Sequence, residues 1–193
     1  RFLVLSKLDE SIETNGKTYN LYTNIANGEI SEGYRYLTEF RMEYVPIFTY
    51  NVDGIIVKKF ISMEYGKNTV VVLYRVKNHG YDSKLTLAPI VNFRDFHTDS
   101  HNHQFDARQS HVGTKLKVIL DGNSATPIYM NCSDGKYLKH NDDTFNNMYY
   151  PREEERGFEA TENHYVPGVY NINIGANEEK DITFVCSLDE NIE

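Results

Sequence analysis

The stretch VNFRDFHTDSHNHQF, Val91 to Phe105, gathers three histidines (His97, His101, His103) and two aspartates (Asp95, Asp99), residue types that ligate metals or move protons. His101 and His103 stand two apart, which on a strand puts both imidazoles on one face. With His97 or His111 they would offer three nitrogen ligands to zinc or iron. A cupin-type site would follow such a pair with a glutamate three or four residues on; QFDARQS follows His103 instead. A polar loop, whose His, Asp and Asn side chains satisfy turn backbone, is the reading this spacing favours. No metal and no other cofactor is expected.

Two further chemistries are open to these residues. Asp95 with His97 could form a carboxylate-imidazole pair, and Glu153, Glu154 and Glu155 offer carboxylates of the type a glycosidase uses. REEER reads first as a solvated charge run, and no GxSxG, P-loop, HExxH or dinucleotide fingerprint is present, so no catalytic residue is assigned. The other chemistry is carbohydrate contact. The chain has 15 Tyr and 10 Phe but no Trp; aromatic faces pack on the apolar faces of sugar rings while Arg, Asp, Asn and His bind hydroxyls. Tyr34, Arg35 and Tyr36, the Arg94-Asp95-His97 turn, and Tyr149, Tyr150 and Arg156 each combine the two. Tyr is also a favoured strand residue.

The elements that must position these residues are strands. Apolar residues alternate, β-branched and aromatic residues are common, and Asn15-Gly16, Asp53-Gly54, Asp121-Gly122 and Asp134-Gly135 punctuate the chain as turns. NTVVVLYRVKN, KLTLAPIVNF, TKLKVIL, GVYNINI and KDITFVCSL read as strands, and no window of helical length carries an amphipathic stripe. Ten or more strands exceed what one flat sheet facing water accommodates, so an all-β fold is expected: a large antiparallel two-sheet β-sandwich, residues 1–193 forming one domain. Periodicity is weakest from Asp95 to His111 and from Tyr137 to Asn163. Long irregular insertions on a rigid sheet are where function concentrates.

Composition narrows the partners. With 20 Lys+Arg against 28 Asp+Glu the formal charge is -8, and no basic run offers a footprint for nucleic acid or an anionic membrane. No apolar segment approaches the roughly 20 residues that cross a bilayer, and RFLVLSKLDE lacks the order of a signal peptide, so a cytoplasmic location is expected. Cys132 and Cys186 lack CxxC spacing and read as reduced, structural thiols. The start at Arg1, inside an apolar strand-like run, suggests a fragment of a longer protein.

Five segments in order carry a resemblance: LVLSKLDESIETNGKTYNL, GYRYLTEFRMEYVPIFTYNVDG, EYGKNTVVVLYRV, LAPIVNFRDFH and YYPREEERGFEATENHYVPGVY. Together, from about Leu3 to about Leu188, they resemble the N-terminal domain of the archaeal and bacterial type of glycogen debranching enzyme, the amylo-α-1,6-glucosidase family. The resemblance implies a supersandwich of the galactose mutarotase-like kind, set in front of an (α/α)6 barrel that carries the catalytic carboxylates for α-1,6 branch hydrolysis. That barrel is absent from this chain, so the chain itself would be non-catalytic.

The family's turn Val-Asn-Tyr-Arg-Asp-x-His is matched by Val91 to His97, with Phe93 for Tyr. In the later loop Tyr150, Glu155, Arg156, Gly157, Glu162, Pro167 and Gly168 fit, while Asn163 and His164 replace an Asp-Leu pair. The implied function is glucan positioning and interdomain packing, with glycogen or maltooligosaccharide and the C-terminal catalytic barrel as partners. Arg94, Asp95, His97, Tyr149, Tyr150, Glu155 and Arg156 are the candidate contacts, Arg94 and Asp95 pairing with each other or with turn backbone. A stand-alone sugar-binding, mutarotase-like or cupin-like metal-dependent sandwich is the alternative.

Overall fold

The computed structural model describes residues 1–192, and the side chains of all of these except 141–143. Alternating apolar residues separated by tight turns produce a succession of antiparallel strands. β1 (Phe2–Thr14) turns at Asn15 and Gly16, with φ of 48° and 70°, into β2 (Lys17–Asn20). Both residues sit in the left-handed region that Asn-Gly tolerates, the geometry of a type I′ hairpin. β3 (Thr23–Ala26), β4 (Glu29–Glu32) and a 3-10 turn at Gly33–Tyr36 follow. Then come β5 (Leu37–Met42), β6 (Pro46–Val52), β7 (Ile55–Met63), β8 (Thr69–Asn78) and β9 (Ser83–Asp95).

After a loop the chain makes β10 (Ala107–Val112), β11 (Lys115–Leu120), β12 (Ile128–Cys132) and β13 (Lys136–Tyr149). A single helical turn, α1 (Pro151–Glu155), precedes β14 (Thr161–Ile174) and β15 (Glu179–Ser187). The strands form two sheets, a seven-stranded one ordered β2-β1-β9-β14-β13-β3-β4 and an eight-stranded one ordered β10-β11-β12-β15-β8-β7-β6-β5. This is the expected all-β, two-sheet sandwich.

Between the sheets lies one apolar cluster, with Ile12, Leu85, Leu87, Tyr170 and Ile172 of the first sheet against Val72, Val76, Val118, Met130 and Phe184 of the second. Cys132 and Cys186 lie in it as free thiols, and burial pushes them up to about 11 and about 12, too high to be nucleophiles at neutral pH. Alternation also turns Glu10 inward from β1. There the Tyr74 hydroxyl donates to its carboxylate at 2.6 Å and Lys59 pairs with it, so a buried charge bridges the sheets. Among the described residues no helix is long and apolar enough to cross a membrane.

One expectation needs correcting. The irregular stretch from Tyr137 to Asn163 is largely strand: β13 continues to Tyr149, and the true loop is only the segment between Tyr149 and Thr161. Register shifts between Lys139 and Asp143 and between Phe145 and Met148 break the period of two that sequence reading relies on. The other irregular stretch is a loop up to Asp106, after which β10 begins.

Removing Lys59 would leave the Glu10 carboxylate, 3% exposed, without its cation. Lys59→Met is expected to destabilise the fold by about 3 kcal/mol in urea unfolding. Arg75→Ala, at the exposed ion pair with Asp181, is expected to leave the midpoint nearly unchanged.

Candidate functional site

The first sheet has an outer face as well as an inner one. On β14, Tyr165 points into the core, so Glu162 and His164 point outward, and on β9 Asn92 and Arg94 do likewise. Asn92, Glu162 and His164 are nevertheless buried and Arg94 half-buried, because the loop after β9 and the segment around α1 fold over them. Glu162 and His164 have no exposed side-chain surface.

Glu162 is the hub. Arg94 grips it with two nitrogens, Nε to Oε1 and, at 3.1 Å, Nη2 to Oε2. Tyr150 Oη lies 3.0 Å from Oε2 and 3.0 Å from His164 Nε2. Asn92 Oδ1 accepts the Phe93 amide at 2.8 Å and the Ser100 hydroxyl at 2.9 Å, which fixes Nδ2 as the donor side. Asn92 Nδ2, 3.3 Å from His164 Nδ1, therefore donates to it. The imidazole proton then sits on Nε2 and is given to Tyr150, whose hydroxyl donates to Glu162. One proton order satisfies the whole chain.

Electrostatics agree with that order. Burial holds His164 below its ordinary value of 6.5, with the Arg94 and Lys7 charges adding to the effect against Glu162 and Asp9. It is the neutral imidazole the hydrogen bonds require. Burial, reinforced by the Glu162 charge, pushes the Tyr150 hydroxyl far up, so it stays a donor. Burial opposes the Arg94 charge, but its hydrogen bonds and attraction to Glu162 prevail and raise it.

The same hub ties down the loop that carries the histidines. Ser100 O accepts the Asn163 amide at 3.1 Å, and Asn163 Nδ2 donates to His103 O at 3.1 Å. His101 and His103 do not converge on one point: His101 Nδ1 meets Thr161 Oγ1 at 2.8 Å, while His103 Nε2 meets Asp121 Oδ2 at 2.9 Å. Each anchors the loop to a different neighbour.

The predicted contacts thus separate into three groups. Arg94 and Tyr150 come together through Glu162, and of the two pairings expected for Arg94 and Asp95 the structure has the one with turn backbone: Arg94 touches Asp95 only at its backbone oxygen, at 3.2 Å. The buried carboxylate outcompetes the exposed one because no water can replace the guanidinium there. Asp95 instead accepts the His97 amide at 2.9 Å and its Nδ1 at 2.8 Å, which holds its carboxyl below the usual range. The third group lies on the exposed turn. Tyr149 donates to Glu154, Glu155 pairs with Arg152 at 2.6 Å, and Arg156 pairs with Glu153 at 3.2 Å beside the Phe158 ring.

Beyond the hub, the end of β9 meets the start of β1. Phe2 stacks on Phe93 at 5.0 Å, the His97 ring lies 3.8 Å from Phe96, and the Arg1 guanidinium lies 5.9 Å from the Phe96 ring. Phe2 is 57% exposed and the His97 side chain 73%. The Phe96 amide donates to Arg1 O, fastening the two ends together. An aromatic and imidazole surface therefore sits on a rigid base.

Glu162, His164, Asn92 and Ser100 were not among the predicted contacts. Glu162 and His164 stood two apart beside a core tyrosine, a polar period-two signal for the opposite face. Ser100 carried no signal, since its role comes from where the loop lands.

Residues 1–181 match the family described as "Glycogen debranching enzyme N terminal", and the chain belongs to that family. No curated protein matches it. Among solved structures it is similar to a polysaccharide lyase (TM-score 0.45, 11% identity, covering 96% of this chain and 25% of that one). It is also similar to a putative kojibiose phosphorylase from the human microbiome (TM-score 0.44, 11% identity, covering 95% and 22%). The chain thus spans about a quarter of the length of these two structures.

Arg94→Ala, which strands the Glu162 carboxylate, is expected to cost about 3 kcal/mol in chemical unfolding. His164 also gives the fold a pH dependence. Below about pH 6.5 the unfolded chain takes up a proton that the folded imidazole resists, so stability present above that pH declines as pH falls. Unfolding free energy measured downward from pH 6.5 is expected to fall more steeply in the native protein than in His164→Gln.

Proposed function

We propose that this chain is the non-catalytic N-terminal domain, residues 1–193, of a glycogen debranching glucosidase. In this reading it packs on a C-terminal (α/α)6 barrel of the same polypeptide, which hydrolyses α-1,6 branch linkages, and it helps hold the glucan. The observation that carries the glucan contact is the exposed patch of Phe2, Phe96 and His97 fixed over the Arg94–Glu162 hub. Its rings suit the apolar faces of glucose units, and the His97 imidazole and Asp95 carboxylate suit the hydroxyls. Preorganisation matters here, because a surface already rigid loses little entropy when a flexible chain settles on it. The buried members of the hub position this surface and do not touch sugar themselves.

Electrophoresis through gels containing glycogen tests the contact. The chain is expected to be retarded, with Phe96→Ala weakening retardation about fivefold, the worth of one ring contact. Since Phe96 is 49% exposed, the variant is expected to keep its melting temperature. Migration of the native chain at the same rate with and without glycogen would sink the glucan contact and leave interdomain packing alone.

A further inference from the structure

A cavity of about 190 Å³ opens between the sheets beside the middle of β1. Register builds its base. Phe48 of β6, Lys59 of β7 and Tyr74 of β8 stand in one row across the eight-stranded sheet, and Tyr50 lies two residues from Phe48 on the same face. From the other sheet Glu10 meets that row, where Lys59 pairs with it and Tyr74 donates to it. The rim comes from the segment after β2 and from the 3-10 turn. The Gly33 amide donates to Tyr22 O at 3.0 Å, and the Tyr34 amide donates to Thr23 Oγ1 at 3.0 Å. Only glycine allows so close an approach, since a Cβ at residue 33 would lie 2.2 Å from Tyr22 O. Tyr22 and Tyr34 are thereby fixed as an aromatic rim.

The polar groups on this cavity have hydrogen-bonding capacity to spare. Glu10 Oε1 takes both the Tyr74 hydroxyl and the Lys59 ammonium, while Oε2 has no hydrogen bond among the described residues, although the residue is only 3% exposed. The Lys59 ammonium has three protons to give and, among the described residues, Glu10 as its one side-chain partner. Tyr50 Oη, on a half-buried side chain, has no hydrogen-bond partner among the described residues either. Burial, reinforced by the Glu10 charge, raises Tyr50 to about 12, so its hydroxyl stays a donor. An acceptor and two donors therefore share one space with the rings of Tyr22, Tyr34 and Phe48.

We propose that this cavity binds one neutral pyranose ring, with neighbouring hydroxyls on Glu10, Lys59 and Tyr50 and the apolar face of the ring against the aromatic rim. A hydroxyl both gives and takes a hydrogen bond, so an adjacent pair satisfies the carboxylate and the ammonium at once. A free cation is repelled by Lys59 and a free anion by Glu10. Lys7, which also lines the cavity, is held by Asp9 and Asn24. Size agrees with one ring: about 190 Å³ is the liquid volume of about six waters at roughly 30 Å³ each, the bulk of a single hexose. None of Phe2, Phe96 and His97 lines the cavity, so it is separate from the exposed patch. The choice of glucose as the hexose rests on the proposed function; the recognition chemistry does not. Binding runs through side chains, and the Leu21, Gly33 and Tyr34 amides are already bonded, so occupancy adds no amide protection there.

The probe is methyl α-D-glucopyranoside, titrated into the chain and followed by amide NMR shifts, with acetate and choline as charged controls. Saturable shifts at Thr23, Tyr34 and Tyr50 are expected, in the millimolar range for a ligand this small, and none from either ion at the same concentrations. Tyr50→Phe keeps the ring and removes a hydroxyl that has no protein partner. It is expected to weaken the sugar about fivefold with an unchanged melting temperature. Tyr34→Ala, at a rim residue 53% exposed, is expected to weaken it about fivefold as well. Phe96→Ala is expected to leave this titration unchanged, so the cavity and the glucan patch fail separately. No saturable shift, shifts confined to other residues, sugar affinity unchanged in both tyrosine variants, or tighter binding of acetate or choline would each overturn the proposal.

Discussion

The ion pair between Arg94 and Glu162 is the constraint on which the arrangement of the candidate site depends. A carboxylate with no exposed surface is tolerable only when its lone pairs are filled, and here a guanidinium, a phenol and an amide fill them. Arg94 comes from the end of β9, Tyr150 from the end of β13, and Glu162 from the start of β14. Satisfying one charge therefore fixes three chain segments relative to one another. The loop from Phe96 to Asp106 has no regular structure of its own and takes its path from this hub, through Ser100 on Asn92 and His103 O on Asn163.

The surface chemistry inherits that rigidity. Asp95 closes on His97 two residues further along the chain, and Phe96 is pinned by its amide to Arg1 O, just ahead of β1. Exposed aromatic rings are ordinarily mobile and costly to order on a ligand. Here the backbone beneath them is already committed, so the patch is largely preformed. The two sheets have separate duties: the outer face of the seven-stranded sheet builds the site, while the inner faces hold the core and, through Glu10, Lys59 and Tyr74, the link between the sheets.

The fold was legible because alternation and turn pairs are local signals. Asn15-Gly16 and Asp53-Gly54 both adopt the positive φ angles those pairs favour. The later part of β13 was hidden because its bulges shift the phase, so the continuation of a strand read as a loop. The site was half legible. Arg94, Asp95, His97 and Tyr150 belonged to recognisable turns, whereas their partners were set by which face of the sheet a distant strand presents. The main partner of Arg94 was missed for that reason: sequence neighbours are visible in a sequence, and a buried carboxylate sixty-eight residues away is not. The His101 and His103 pair, the most metal-like pattern in the chain, proved to be two loop anchors facing different neighbours.

If the hub presents a preformed glucan-contact surface at the junction of β1 and β9, amide hydrogen exchange of the native chain with and without a linear maltooligosaccharide reads it most directly. New protection is expected at Phe2 and at Phe93 to His97 alone, with the amides of Ser100 and Asn163 already slow before the sugar is added. Fast exchange at Ser100 and Asn163 in the free protein, or protection elsewhere without any at Phe93 to His97, would contradict it.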